Sequence, residues 1–191
     1  MDASDKEAIK EPAPMSTMPA SLPPHALPTA LDAFPDVRVL SLDCFDTLLW
    51  RDTHAPQDVF AALPATSPLQ RIWAETRARQ GARIGRGQAE VSIAEIYAQL
   101  LPNANAAERD AAIASEIAAE ARHCFAFAPT VELMRAARAR GLQVIIVSDT
   151  YFDARQLRQL IADAAGEEIA GLIDRLFCSS GFGKSKAGGL Y

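Results

Sequence analysis

The 191-residue chain has three cysteines and three histidines, and each scarcity excludes something. Cys44, Cys124 and Cys178 are odd in number and scattered. That argues against a disulfide framework and predicts reduced thiols in a cytoplasmic compartment. His25, His54 and His123 stand apart, and no Cys or His spacing matches a zinc site. His54 is the best placed of the three for a chemical role. No apolar run reaches the roughly 18 residues of a membrane span. Met1 to Lys10 is acidic and polar, unlike a secretory signal. Positive charge is in deficit: 19 Lys and Arg face 24 Asp and Glu, a net charge of −5. Nucleic acid is therefore not the expected partner, and no polybasic patch addresses a membrane. What remains is 49% hydrophobic and 23% charged, ordinary for a globular chain of one domain with a subdomain.

Seven of the twelve prolines fall within residues 1–36, in a stretch rich in alanine and serine. This region is expected to be a disordered tail, with a docking arm as the alternative. From Val37 onward the pattern changes. An apolar strand, Val37 to Leu42, delivers Asp43 to its end, and a tight polar turn follows. Open α/β sheets bind ligands at the carboxyl ends of such strands. A carboxylate placed there can attack phosphorus or carbon, or hold a divalent cation.

After Asp52 the chain reads as helical for about 75 residues. Gln57 to Leu63 and Pro68 to Gly81 are predicted helices, the second with Leu69, Ile72 and Trp73 on one side. Ser92-Ile93-Ala94-Glu95 is a capping box opening a helix through Leu101. Ala106 to Phe125 carries Ile113, Ile117 and Ala121 at helical spacing. Strand and helix then alternate. A helix over Thr130 to Arg140 is stopped by Gly141, and Gln143 to Val147 is a strand ending at Ser148. Asp153 caps a helix to Ala164, and Leu176 to Cys178 is a short strand. Alternation implies parallel pairing.

Three segments together carry a family resemblance: Asp43-Cys44-Phe45-Asp46-Thr47-Leu48, Val144 to Asp149, and Ser179 to Lys186. In order, and each after its own strand, they resemble the first three motifs of the haloacid dehalogenase superfamily. The first motif, with Ser148-Asp149-Thr150-Tyr151 and Lys186-Ala187-Gly188-Gly189-Leu190-Tyr191, is similar to one branch of predicted hydrolases. The resemblance spans Val37 to Tyr191. It implies a Rossmann-like parallel core over residues 37–52 and 128–191, with a helical cap over residues 53–127. It implies a small phosphorylated metabolite as substrate and Asp43 as nucleophile and Mg²⁺ ligand. The Phe45 backbone carbonyl is a second ligand, Ser148 a hydrogen-bond donor to the transferring group, and Lys186 the neutralising cation. Phosphoryl transfer needs such positioning and charge neutralisation. Asp46, Thr47 and Asp149 are further candidates, and Lys184 is the rival of Lys186.

Two features depart from the pattern. Phosphatases of the superfamily carry a general acid two positions after the nucleophile, where this chain has Phe45. Asp46 stands one further on, where an extended chain points to the other face. The aromatic resembles the dehalogenase branch, whose chemistry needs no metal. The fourth motif, an acidic pair after a further strand, is absent. A fragment or truncated product is therefore expected, or a nucleophile strand whose open edge another copy covers. A catalytically impaired binding domain of the same fold is the alternative to an enzyme.

Within the cap, Arg71 and Glu75 stand four apart and read as a surface ion pair, with anion recognition by Arg71 as the functional alternative. Glu116 and Glu120 read as solvated, Tyr97 and Trp73 as cap core, and Cys44 as a packing residue.

Overall fold

The computed structural model describes residues 21–64 and 66–190. In chain order it has β1 (Val39–Leu42), β2 (Leu49–Arg51), α1 (Pro68–Arg86), α2 (Ile93–Leu100), α3 (Ala106–His123) and β3 (Cys124–Ala126). These are followed by α4 (Ala128–Ala139), β4 (Gln143–Ser148), α5 (Ala154–Ala165), α6 (Glu167–Gly171), β5 (Arg175–Cys178) and α7 (Ser179–Phe182). Short 3₁₀ segments cover Pro24–Ala33 and Pro56–Ala62. The fold is mixed α/β, with a parallel three-stranded sheet in the order β1-β4-β5. Among the described residues, no helix is long and apolar enough to cross a membrane.

The sheet is built on β4. Its Val144, Ile146 and Val147 are all buried, as a β-branched run between two strands requires. α4 buries Val131, Met134 and Ala137, and α5 buries Leu157, Leu160 and Ile161 at helical spacing. Gly141, at φ 75°, makes the left-handed turn that ends α4 and turns the chain into β4. Asp153 caps α5 in a capping box with Gln156.

The strand of Asp43 has one neighbour among the described residues. β1 pairs with β4, and Val39 on it is 44% exposed. Among the described residues it is an edge strand of the sheet, with the open edge expected from the sequence.

Other expectations are corrected. Residues 24–33, expected within a disordered tail, form a 3₁₀ segment against α4, and Leu31 joins the main core. One buried leucine and an Asp32–Arg140 ion pair hold a segment whose composition argues for disorder. Residues 1–20 of that tail lie outside the described residues. The stretch after Asp52 is not wholly helical, because β3 pairs antiparallel with β2. A three-residue strand has too little length for periodicity, and here cross-strand pairing and stacking of Trp50 on Phe127 (4.7 Å) define it.

The buried face of α1 is also not the apolar one. Leu69 and Trp73 are 62% and 56% exposed, while Arg71, Ala74, Ala78 and Ala82 face inward. The alanine seam packs with Val91 and Ile96, the latter on α2. Glu116 and Glu120, read as solvated, are buried on α3. Their carboxylates are matched by Arg71 and Arg51, which removes the cost of burying an unpaired charge. Tyr97 is buried, and the Arg71–Glu75 pair forms with Arg71 buried instead of at the surface.

Candidate active site

Asp43 follows the last residue of β1, and its Oδ1 accepts the Cys44 N–H at 2.7 Å. The chain then reverses sharply. The N–H groups of Leu48 and Leu49 both donate to the Cys44 carbonyl at 2.8 Å, and Asp46 N–H donates to the Leu49 carbonyl at 2.8 Å. Asp46 sits at φ 57°, a left-handed conformation that aspartate tolerates better than most residues. It is exposed, and Thr47 is half-buried beside it. Cys44 is fully buried, and burial followed by the neighbouring Asp43 charge pushes its thiol well above the ordinary range. It is a packing group and not a nucleophile. Cys124 and Cys178 are pushed up to about 12, chiefly by burial.

The parallel register sets Leu42 beside Ile146, so Asp43 and Ser148 lie at the same, carboxyl end of adjacent strands. Ser148 is buried at the end of β4, and Asp149 begins the turn after it. Lys186 reaches this place from far along the chain. Its backbone N–H donates to Asp149 Oδ1 at 2.8 Å, and its ammonium donates to Asp43 Oδ2. The structure thus brings Asp43, Asp149 and Lys186 into one hydrogen-bonded group with Ser148 on the adjacent strand end. Lys184 is exposed.

A cleft of about 340 Å³ opens beside this group, lined by Phe45, Arg51, Phe60, Arg79, Asp149 and Tyr151 among others. Both turns of the site, after β1 and after β4, contribute to its wall. Arg51 stacks over the Phe45 ring at 4.2 Å and bonds Glu120 at 2.6 Å. Phe45 is therefore covered by a cation on one face.

Arg71 does not serve as a substrate group. It is fully buried, forked onto Glu116 with two bonds of 2.7 Å, and bonded to Glu75 at 3.2 Å. Phe60, Tyr151 and Tyr97 surround it at 4.6, 4.9 and 5.9 Å. Burial is the largest influence and disfavours its charge, yet the Glu116 hydrogen bonds and the neighbouring Tyr151, Glu116 and Glu75 together outweigh it and hold Arg71 above the ordinary range. Tyr97 donates to Glu116 at 2.8 Å, and burial and that carboxylate push its hydroxyl up. His54 is exposed, and His123 pairs with Asp52 at 2.9 Å.

Magnesium keeps several waters and binds through one or two carboxylates and other hard oxygens. The Asp43 carboxylate and the Phe45 carbonyl fit it in type. Among the described residues, no group of three or more His, Cys, Asp or Glu side chains converges on a metal position. Sequence reasoning passed over Glu90, and it quoted Ser179 without a role. Both belong to the support of the turn after β4, and no spacing or motif marks Glu90 in advance. Compared with family models and with curated protein sequences, the chain matches none.

Proposed function

We propose that this chain is a hydrolase of the haloacid dehalogenase superfamily, with a Rossmann-like core and a helical cap. It acts as a phosphatase on a small phosphorylated metabolite. The observation that carries the reading is the Lys186 ammonium on Asp43, with Asp149 holding the Lys186 backbone. A lysine brought across 143 positions to a strand-end carboxylate is an arrangement suited to an anion shared between the two. The reduced, buried thiols agree with a cytoplasmic setting.

Asp43 attacks phosphorus, the bond from phosphorus to the departing oxygen breaks, and an aspartyl-phosphate forms. Water then attacks the phosphoryl group, inorganic phosphate leaves and the carboxylate returns. Lys186 offsets the charge that phosphate and Asp43 bring together, and Ser148 donates to a phosphoryl oxygen. Asp43 and the Phe45 carbonyl would hold Mg²⁺, which when bound supplies further charge neutralisation. With Phe45 where an acid would stand, the departing oxygen takes its proton from water.

A second reading, a binding domain of the same fold with impaired catalysis, is favoured by that same Phe45 beneath Arg51. A dehalogenase-like reaction at carbon would use Asp43 without metal. Hydrolysis of an aryl phosphate and of a haloacid, each with and without Mg²⁺, separates the three for the wild-type chain and Asp43→Asn. Metal-dependent turnover lost in the variant supports the phosphatase. Turnover of a haloacid without metal supports the dehalogenase, and no turnover of either supports the binding domain.

A further inference from the structure

Ser179, the first residue of α7, is fully buried, and its hydroxyl lies between two parts of the molecule. It accepts the Thr150 N–H at 3.0 Å, and it donates to Glu90 Oε2 at 2.6 Å. Thr150 is in the turn after β4, directly after Ser148 and Asp149. Glu90 is in the loop between α1 and α2, part of the cap. A hydroxyl has one hydrogen. The short, charge-assisted bond to Glu90 takes it, in preference to the Thr150 carbonyl at 3.2 Å. The lone pair is then aimed at the Thr150 N–H.

Glu90 is itself held. Arg79 approaches it at 3.5 Å and donates to the Ala89 carbonyl at 3.0 Å. Arg79 also pairs with Glu75 at 2.9 Å, and Glu75 pairs with the buried Arg71 that forks onto Glu116. A continuous chain of polar contacts therefore runs from α3 through α1 to Glu90, Ser179 and Thr150. The next residue, Tyr151, is fastened to the start of α2, since Ile93 N–H donates to its carbonyl at 2.8 Å.

We propose that Glu90 is a positioning residue of the Asp43 site. By orienting Ser179 it fixes the Thr150 N–H, and so the turn that sets Ser148 and Asp149 beside Asp43. Without the carboxylate the Ser179 hydrogen turns to the Thr150 carbonyl and the Thr150 N–H bond weakens. The effect on turnover rests on the proposed phosphatase reaction, while the tether itself does not.

The test uses the full chain as wild type, Glu90→Ala, Glu90→Gln, Ser179→Ala and the Glu90→Ala/Ser179→Ala double variant. Amide exchange at Thr150 is read by NMR, with the β4 amides as internal reference. Exchange at Thr150 rises about tenfold in Glu90→Ala and in Ser179→Ala, the scale of one hydrogen bond to a charged group. It rises no further in the double variant, and Glu90→Gln, which keeps an acceptor oxygen, returns it toward wild type. For aryl phosphate, kcat falls about tenfold in the same variants with KM little changed, and Glu90→Gln recovers kcat. Unchanged Thr150 exchange in Glu90→Ala, or additive effects in the double variant, would overturn the tether. Raised exchange with unaltered kcat would overturn the positioning role. Absence of turnover in the wild type would sink the phosphatase reading, and the exchange rates would still decide the tether.

Discussion

Removing the Glu116 carboxylate leaves the Arg71 guanidinium buried with too few partners, and the penalty follows from the geometry. Both side chains are 0% exposed and joined by two bonds of 2.7 Å. After Glu116→Leu, Glu75, at 3.2 Å and 24% exposed, is the one carboxylate left to Arg71 among the described residues. Tyr97 also loses the acceptor it reaches at 2.8 Å. Breaking one side of a buried pair costs about 3–5 kcal/mol. A stranded hydroxyl adds about 1–3 kcal/mol. The total is a large part of the roughly 5–15 kcal/mol that holds a domain folded. At roughly 2–4 °C per kcal/mol for a chain of this size, Glu116→Leu should lower Tm by on the order of 10 °C or more. The triple variant Arg71→Met/Glu116→Leu/Tyr97→Phe removes all three buried polar groups together. Glu75 remains satisfied by Arg79 at 2.9 Å. The triple variant should recover most of the loss, because a buried ion pair is often worth little against apolar residues of similar volume. Urea and thermal unfolding of the wild type, Glu116→Leu and the triple variant measure this. A Glu116→Leu cost under about 1 kcal/mol would refute the assignment of Arg71 as a desolvated, pair-dependent cation. So would a triple variant no more stable than the single one.

Further outcomes follow from other parts of the structure. Without a general acid at position 45, turnover should depend steeply on leaving-group acidity, so aryl phosphates should outpace alkyl phosphates by roughly the 10²–10⁴ that a positioned acid supplies. Comparable rates for both would place an acid elsewhere in the cleft. Leu31→Ala should destabilise by about 2 kcal/mol, the low end for a buried leucine, if the 24–33 segment is part of the core. An unchanged urea midpoint would detach it from the core. Asp174 accepts the Val144 N–H and pairs with Arg138, each at 2.7 Å, and the backbone bond first, then the arginine, hold its carboxyl below the ordinary range. Its contribution is present above the unfolded value of about 3.9 and is lost as pH falls through the lower folded value. Asp174→Asn should therefore flatten the acid limb of a stability–pH profile below about pH 4, and an identical limb in the variant would contradict the assignment.

The legible part of the fold is the part made by local chemistry. The Ser92–Glu95 box, the Asp153 cap and the left-handed Gly141 are set by neighbouring residues, and they stand where their spacing indicates. The parallel pairing of β4 with β1 and with β5 follows from alternating strands and helices. What escaped is set by partners distant in sequence. Nothing near Glu116 announces an arginine 45 residues away, so its burial could not be read from α3 alone. The exposed Leu69 and Trp73 gave a false inward face because an alanine seam and a matched arginine pack closer than an apolar stripe. At the site, the motif resemblance implied Asp43, Ser148 and Lys186. The Asp149 contact to Lys186 and the Glu90–Ser179 support needed the fold.

The most direct measurement of the central claim is the mass of the chain after acid quenching during turnover of an aryl phosphate. Peptide mapping then locates any adduct. The account predicts one phosphoryl group on Asp43, absent in Asp43→Asn and transient in the wild type. Turnover with no adduct, or with the phosphoryl group on another residue, would contradict Asp43 as the nucleophile.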